Sequence, residues 1–227
     1  MRVLLICDDH YHPGDVPVNG TLPLKEKGFD IVVQFEAAKL DLKTLQQYPV
    51  IILSKSDKVT LEENSNWKRG EIQQAFIEYV EKGGGLVVTH SGTVGGKESD
   101  PLDQLIGCRF KYHPKACSVF IQPLKPHPVT NGITAFRETD EHYRIEILQN
   151  DIDVLAASYS PRQDEEETGD DPFKKAGDWI GPACYVRTRA SGRICVLTPG
   201  HNLAVWHNTN FQKMLENALN WCAGKNH

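Results

Sequence analysis

The chain has 227 residues, a length that suits one α/β domain or at most two small ones. Hydrophobic residues make up 40% and 18 residues are glycine, an ordinary globular composition that excludes collagen-like, disordered and disulfide-scaffold architectures. Twenty-five basic against 30 acidic residues give a net charge of −5, which argues against a nucleic-acid or anionic-membrane partner, since both favour a basic face.

The apolar run after Arg2 stops at Asp8-Asp9, too short for the core of a signal peptide, and no segment approaches the roughly 18 apolar residues of a membrane span. A cytoplasmic protein is expected. Cys7, Cys108, Cys117, Cys184, Cys195 and Cys222 form no CxxC pair and read as small buried hydrophobes of a reducing compartment.

Arg2 to Cys7 is an apolar run closed by acids, the pattern of a strand buried on both faces. Leu22 to Lys27 reads as a short helix ended by Gly28, and Asp30 to Phe35 as a second strand. Leu40 to Tyr48 reads as a helix stopped by Pro49, followed by a third strand over Val50 to Leu53. In Glu71 to Lys82, Ile72, Ala75, Phe76, Tyr79 and Val80 recur at three- and four-residue spacing, which predicts an amphipathic helix. Gly83-Gly84-Gly85 ends it and leads into the strand Leu86 to Thr89.

This alternation implies a parallel sheet covered on both faces, with its ligand crevice beyond the carboxyl ends of the strands. Further strands are expected at Ser118 to Pro123, His142 to Leu148, Asp153 to Tyr159, Pro182 to Thr188 and Arg193 to Thr198. Ser160 to Gly177 holds Asp164, Glu165, Glu166, Glu167, Asp170 and Asp171 and reads as a solvated insertion, with a lid over the crevice as the alternative. Asn208 to Trp221 closes the chain as a helix. No internal repeat or linker is visible, so residues 1–227 are read as a single domain.

Histidines and acids gather at the predicted strand ends. Asp8, Asp9, His10 and His12 follow the first strand, His90 and Ser91 the triple-glycine strand, and His201 the last apolar strand, with His207 six residues on. Asp140, Glu141 and His142 open a later β segment. Imidazoles and carboxylates converging on one rim support proton transfer or metal binding, because histidine titrates near neutrality and ligates divalent metals as the neutral ring. His113 and His127, beside prolines, read as turn residues. Ser91 lacks the G-x-S-x-G context of a nucleophile. HExxH, GxGxxG and the P-loop pattern are absent, yet a divalent metal, Zn or Mn, held by groups from separate loops is compatible with these residues.

The run Gly83 to Gly92 resembles the central strand and turn of ThuA-like proteins, the trehalose-utilisation family. Three more stretches are similar in order and spacing: His127 to Gly132, Thr139 to Tyr143, and Gly192 through Pro199-Gly200-His201 to Trp206. The resemblance implies an α/β, flavodoxin-like fold of the class I glutamine amidotransferase type: a mostly parallel sheet with helices on both faces and extra antiparallel strands in the second half. It also implies carbohydrate catabolism on a trehalose-like or keto-sugar substrate. Where amidotransferases carry a nucleophilic cysteine, this chain reads His90-Ser91-Gly92, so glutamine hydrolysis is not expected.

The resulting expectation is an enzyme that isomerises or cleaves a sugar by acid–base chemistry. Asp9, His10, His90, Glu141 and His201 would be catalytic, and His12, Ser91, His142, Trp206 and His207 would contact the substrate. The alternative is a non-catalytic sugar- or metabolite-binding module, or a subunit partnering a sugar dehydrogenase. The expected partner is a small carbohydrate, and a homo-oligomer is compatible with the sequence.

Overall fold

A computed structural model describes residues 1–62, 66–96, 100–160 and 179–225. The acidic stretch from Asp164 to Asp171 lies outside the described residues. Among the described residues eleven strands run in chain order: β1 (Arg2–Cys7), β2 (Asp30–Gln34), β3 (Val50–Ser54), β4 (Gly85–Thr89), β5 (Cys108–Tyr112), β6 (Cys117–Pro123), β7 (Phe136–Asp140), β8 (Arg144–Ile147), β9 (Asp153–Ser160), β10 (Trp179–Arg189) and β11 (Gly192–Leu197). The helices are α1 (Asp15–Gly20), α2 (Leu42–Leu45), α3 (Gly70–Glu81), α4 (Asp100–Ile106), α5 (Leu203–His207) and α6 (Thr209–Cys222).

Nine strands form one sheet in the order β2-β1-β3-β4-β11-β10-β9-β6-β7, and β5 pairs with β8 separately. Strands β2, β1, β3, β4 and β11 pair in parallel, whereas every pairing from β11 through β10, β9 and β6 to β7 is antiparallel. The fold is therefore mixed α/β. The expected mostly parallel sheet holds for its first half only, because the strands after β5 are joined without crossover helices.

The apolar runs read as doubly buried strands are so. Along β1, Val3, Leu5 and Cys7 enter one core with residues of α5 and α6, while Leu4 and Ile6 enter the other with residues of α2, α3 and α4. Helix α3 buries Ala75, Phe76, Tyr79 and Val80, as its spacing predicts. The helix expected over Leu40 to Tyr48 is reduced to α2, capped by the Asp41 carboxylate accepting from the Thr44 amide. Leu22–Lys27 is a tighter 3-10 helix, closed by Gly28 at φ +82°. Among the described residues no helix is long and apolar enough to cross a membrane.

The far end of the sheet matters for the site. Strand β7 lies four strands from β11 in the hydrogen-bonded order. Even so, the Asp140 carboxylate at its end accepts from the amides of Gly200 (2.8 Å) and His201 (3.0 Å), and Asn202 donates to the Thr139 carbonyl (2.7 Å). The antiparallel end thus curls back onto the carboxyl rim of the parallel strands and brings Glu141 there.

Candidate metal centre

Four side chains from four separate loops meet at that rim. His12 follows β1, His90 follows β4, His201 follows β11, and Glu141 follows β7. One donor atom from each lies within 4.8 Å of all the others. The three imidazoles form a nearly equilateral triangle, with ring centroids 5.3 Å (His12–His90), 5.5 Å (His12–His201) and 5.5 Å (His90–His201) apart. Glu141 Oε2 lies 3.0 Å from His201 Nδ1 and 3.4 Å from His90 Nε2.

Two of the three rings are oriented from outside the cluster. His90 Nδ1 lies 2.9 Å from the Thr198 carbonyl, which can only accept, so Nδ1 carries the proton and Nε2 presents its lone pair inward. His12 Nδ1 donates in the same way to Asp9 Oδ1 at 2.8 Å, leaving the Nε2 lone pair to accept from the Tyr143 hydroxyl at 3.1 Å. Burial, aided by the Glu141, Asp9 and Asp140 carboxylates, pushes the Tyr143 hydroxyl well above its usual range, so it stays protonated and donates to that nitrogen. Its ring stacks on His90 with centroids 3.7 Å apart.

The charges follow from this packing. Burial works to raise the Glu141 carboxyl, but contact with His201 and His90 and the charges of His201 and His113 overcome it and hold the group well below the carboxylate range. The Glu141 carboxylate beside His201 raises that ring against its burial. Burial lowers His90 despite Glu141 and Asp140, keeping it neutral. Although they lie in ion-pair range of Glu141, the buried His90 Nε2 and His201 Nδ1 have no partner in hydrogen-bond geometry. Two orphaned ring nitrogens gathered beside one carboxylate are what a cation would satisfy.

The remaining expected site residues are placed elsewhere or act differently. The buried Asp9 does not face the pocket: Oδ1 accepts from the Tyr11 and His12 amides and from His12 Nδ1, and Oδ2 from the Ser56 amide. Its role is to orient His12. His10 is exposed, its ring edge-on to Tyr11. Ser91 is enclosed in the His90–Thr93 turn and meets no open space. His142 is buried between Ser160 Oγ (2.6 Å) and Ser158 Oγ (2.8 Å), where burial and then Arg144 push it down to about 3 and keep it neutral. His207 points to the Asn19 carbonyl beside a separate groove against α6.

Trp206 is also corrected. It is fully buried and donates from Nε1 to the Gly200 carbonyl at 2.9 Å, bracing the His201 turn from behind with no face left for a substrate. Trp206→Ala is accordingly expected to cost about 3–5 kcal/mol in urea unfolding. Unchanged stability would return Trp206 to the substrate-binding surface.

His113, expected as a turn residue, and Tyr143 both reach the cluster. Tyr143 packs its ring on His90, and the exposed His113, stacked over Tyr143, places Nε2 3.5 Å from Glu141 Oε2. All six cysteines are free. Burial is the main cause that pushes the Cys7 and Cys108 thiols up to about 12, so neither supplies a thiolate nucleophile.

Fold and site together define a mixed α/β protein with an acid–imidazole cluster at the carboxyl rim of its sheet. The ThuA family model, described as trehalose utilisation, matches residues 10–222, and the chain belongs to that family. Among curated proteins nothing matches. A protein of Parabacteroides merdae described as ThuA-like is 21% identical with a TM-score of 0.72, over 98% of this chain and 90% of that one. One from Bacteroides uniformis, likewise described, is 19% identical with a TM-score of 0.69, over 98% and 91%. A cold-adapted β-galactosidase from Rahnella aligns at 16% identity and TM-score 0.59, with 93% of this chain matched to 30% of that one. At these identities the likenesses show the fold alone.

Proposed function

We propose that this chain is a metal-dependent enzyme of carbohydrate breakdown that isomerises or cleaves a trehalose-like or keto-sugar substrate. His12, His90, Glu141 and His201 would hold one divalent cation. The observation that carries the reading is the convergence of four donor atoms within 4.8 Å, two of them buried nitrogens without a hydrogen bond. Tetrahedral zinc with bonds near 2.0–2.1 Å separates its ligand atoms by about 3.3 Å, close to the 3.0 and 3.4 Å between Glu141 and its two imidazoles. Three imidazoles, each neutral once it ligates, and a carboxylate suit Zn first.

A bound divalent cation supplies Lewis acidity, polarising a substrate oxygen or lowering the pKa of a bound water towards about 7. The protein supplies the rest. Asp9 and the Thr198 carbonyl fix two ring tautomers, and the protonated Tyr143 hydroxyl, which donates to His12 Nε2, would turn to a substrate oxygen once that nitrogen held the cation. His113, at the exposed edge, is placed to carry a proton next to a sugar carbonyl. Tyr11, 55% exposed beside His12, offers an aromatic face to a sugar ring.

Purified protein, stripped with chelator and reloaded, is expected to take up one Zn per chain by elemental analysis. It should convert trehalose, sucrose or a 3-keto form of either, followed by mass spectrometry and NMR, with chelator abolishing the conversion. Failure to retain stoichiometric Zn or Mn, or turnover indifferent to chelator, removes the metal. No product from any of these sugars removes the carbohydrate enzyme.

A further inference from the structure

Two buried lysines take no direct part in the cluster, yet both reach its loops from behind. Lys55 is 1% exposed and Lys68 is fully enclosed. The Lys55 ammonium donates to the carbonyls of Cys7, at 3.4 Å, and Asp8. The Lys68 ammonium donates to those of Gly92 (2.7 Å) and Val94 (2.9 Å). These carbonyls belong to the turns that lead to His12 and contain His90.

Both turns are strained. Asp8 sits at φ +76° and His90 at φ +38°, a left-handed conformation that non-glycine residues hold only where the surroundings over-determine it. The His90 turn is also pressed onto the sheet, since a Cβ on Gly92 would meet the Leu53 carbonyl oxygen at 2.2 Å. The Val94 carbonyl takes one backbone amide, from Asp57 at 3.0 Å, and Lys68 supplies the further donors to Gly92 and Val94. A lysine brings several donors on one atom and a stem long enough to reach them. Burial opposes the Lys68 charge, and the Asp103 and Asp57 carboxylates favour it.

We propose that Lys55 and Lys68 are positioning residues, each fixing a strained turn through its main-chain carbonyls so that His12 and His90 are aimed at Glu141 before any ligand arrives. The affinity arm of the test rests on the metal reading above; the spectroscopic arm does not. A lysine that merely balanced nearby carboxylates would change stability and leave ring orientation alone.

The test compares wild type with Lys68→Met and Lys55→Met, adding Lys68→Gln should Lys68→Met not fold. In metal-free wild type, the His90 Nδ1–H held by Thr198 should give a protected, downfield ring signal by NMR, and the Lys68 ammonium should exchange slowly. Lys68→Met should lose the ring signal while remaining folded, and weaken Zn binding about 10–100-fold in competition with a chromophoric chelator. Lys55→Met should weaken Zn binding similarly but leave the His90 signal in place. A freely exchanging Lys68 amine in wild type, or folded variants with the wild-type ring signal and Zn affinity, overturns the proposal. If wild type itself takes up no Zn, the metal reading fails alone, and the His90 signal still decides the role of Lys68.

Discussion

His201→Ala should remove nearly all of the thermal stabilisation that zinc confers while leaving the metal-free protein almost as stable as wild type. The His201 side chain is 33% exposed, so its truncation opens no sealed cavity. A substitution at such a position usually shifts stability by no more than about 0.5–1 kcal/mol. The metal term behaves differently. With free Zn at about 1,000 times Kd, binding adds about 4.1 kcal/mol to the folded state. If losing one of four donors raises Kd about 1,000-fold, the same Zn concentration adds only about 0.4 kcal/mol. For a chain of this length about 1 kcal/mol moves Tm by roughly 2–4 °C. Calorimetry with and without Zn should therefore show a shift of about 8–16 °C in wild type and about 1 °C in the variant. Equal shifts in the two proteins would mean that His201 is not a ligand. Equal loss of stability with and without metal would mean that its role is packing.

The parts of this site that could be read in the sequence are those set by local pattern. His90 and His201 end apolar strands, and the carboxyl ends of parallel strands face the crevice, so their convergence follows once the alternation of strands and helices is recognised. The choice between His10 and His12 does not follow, because both lie in one loop two residues apart. It is decided by the buried Asp9 carboxylate, which takes up the His12 ring and leaves His10 in solvent. Strand β5 and strand β7 show why their neighbours were misread. Cys108–Tyr112 is buried only at its start, and Phe136–Asp140 alternates with exposed polar residues, so neither is a continuous apolar run. Their places depend on partners distant in sequence: β5 pairs with β8, and β7 with β6. His113 follows β5 and Tyr143 precedes β8, so the two met only through that pairing. Trp206 departs from expectation for the opposite reason. An aromatic residue near a site histidine suggested a sugar platform, whereas the indole is fully enclosed in the core with α6.

Asp9→Asn is expected to impair the site more than its small change in shape suggests, and the reason is the distribution of donors around the carboxylate. Oδ1 accepts from two amides and from His12 Nδ1, and Oδ2 accepts from the Ser56 amide, so both oxygens face only donors. An asparagine must turn its NH2 towards one of these sides. Facing Ser56, it leaves a buried amide unsatisfied at a cost of about 1–3 kcal/mol. Facing His12, it reverses the ring tautomer, placing a proton on Nε2 where the lone pair is needed. Burial works to raise the Asp9 carboxyl, but the His12 hydrogen bond and the Ser56 and Tyr11 amides keep it ionised, and an amide cannot take over that charge. Zinc affinity should fall about 10–100-fold, the usual consequence of losing a partner that orients a ligand, and urea unfolding of the metal-free variant should show the loss of about 1–3 kcal/mol. Chelator competition that returns the wild-type affinity for Asp9→Asn would show that His12 is held without Asp9. The orienting role would then pass to the Tyr143 hydroxyl on the other nitrogen of the ring.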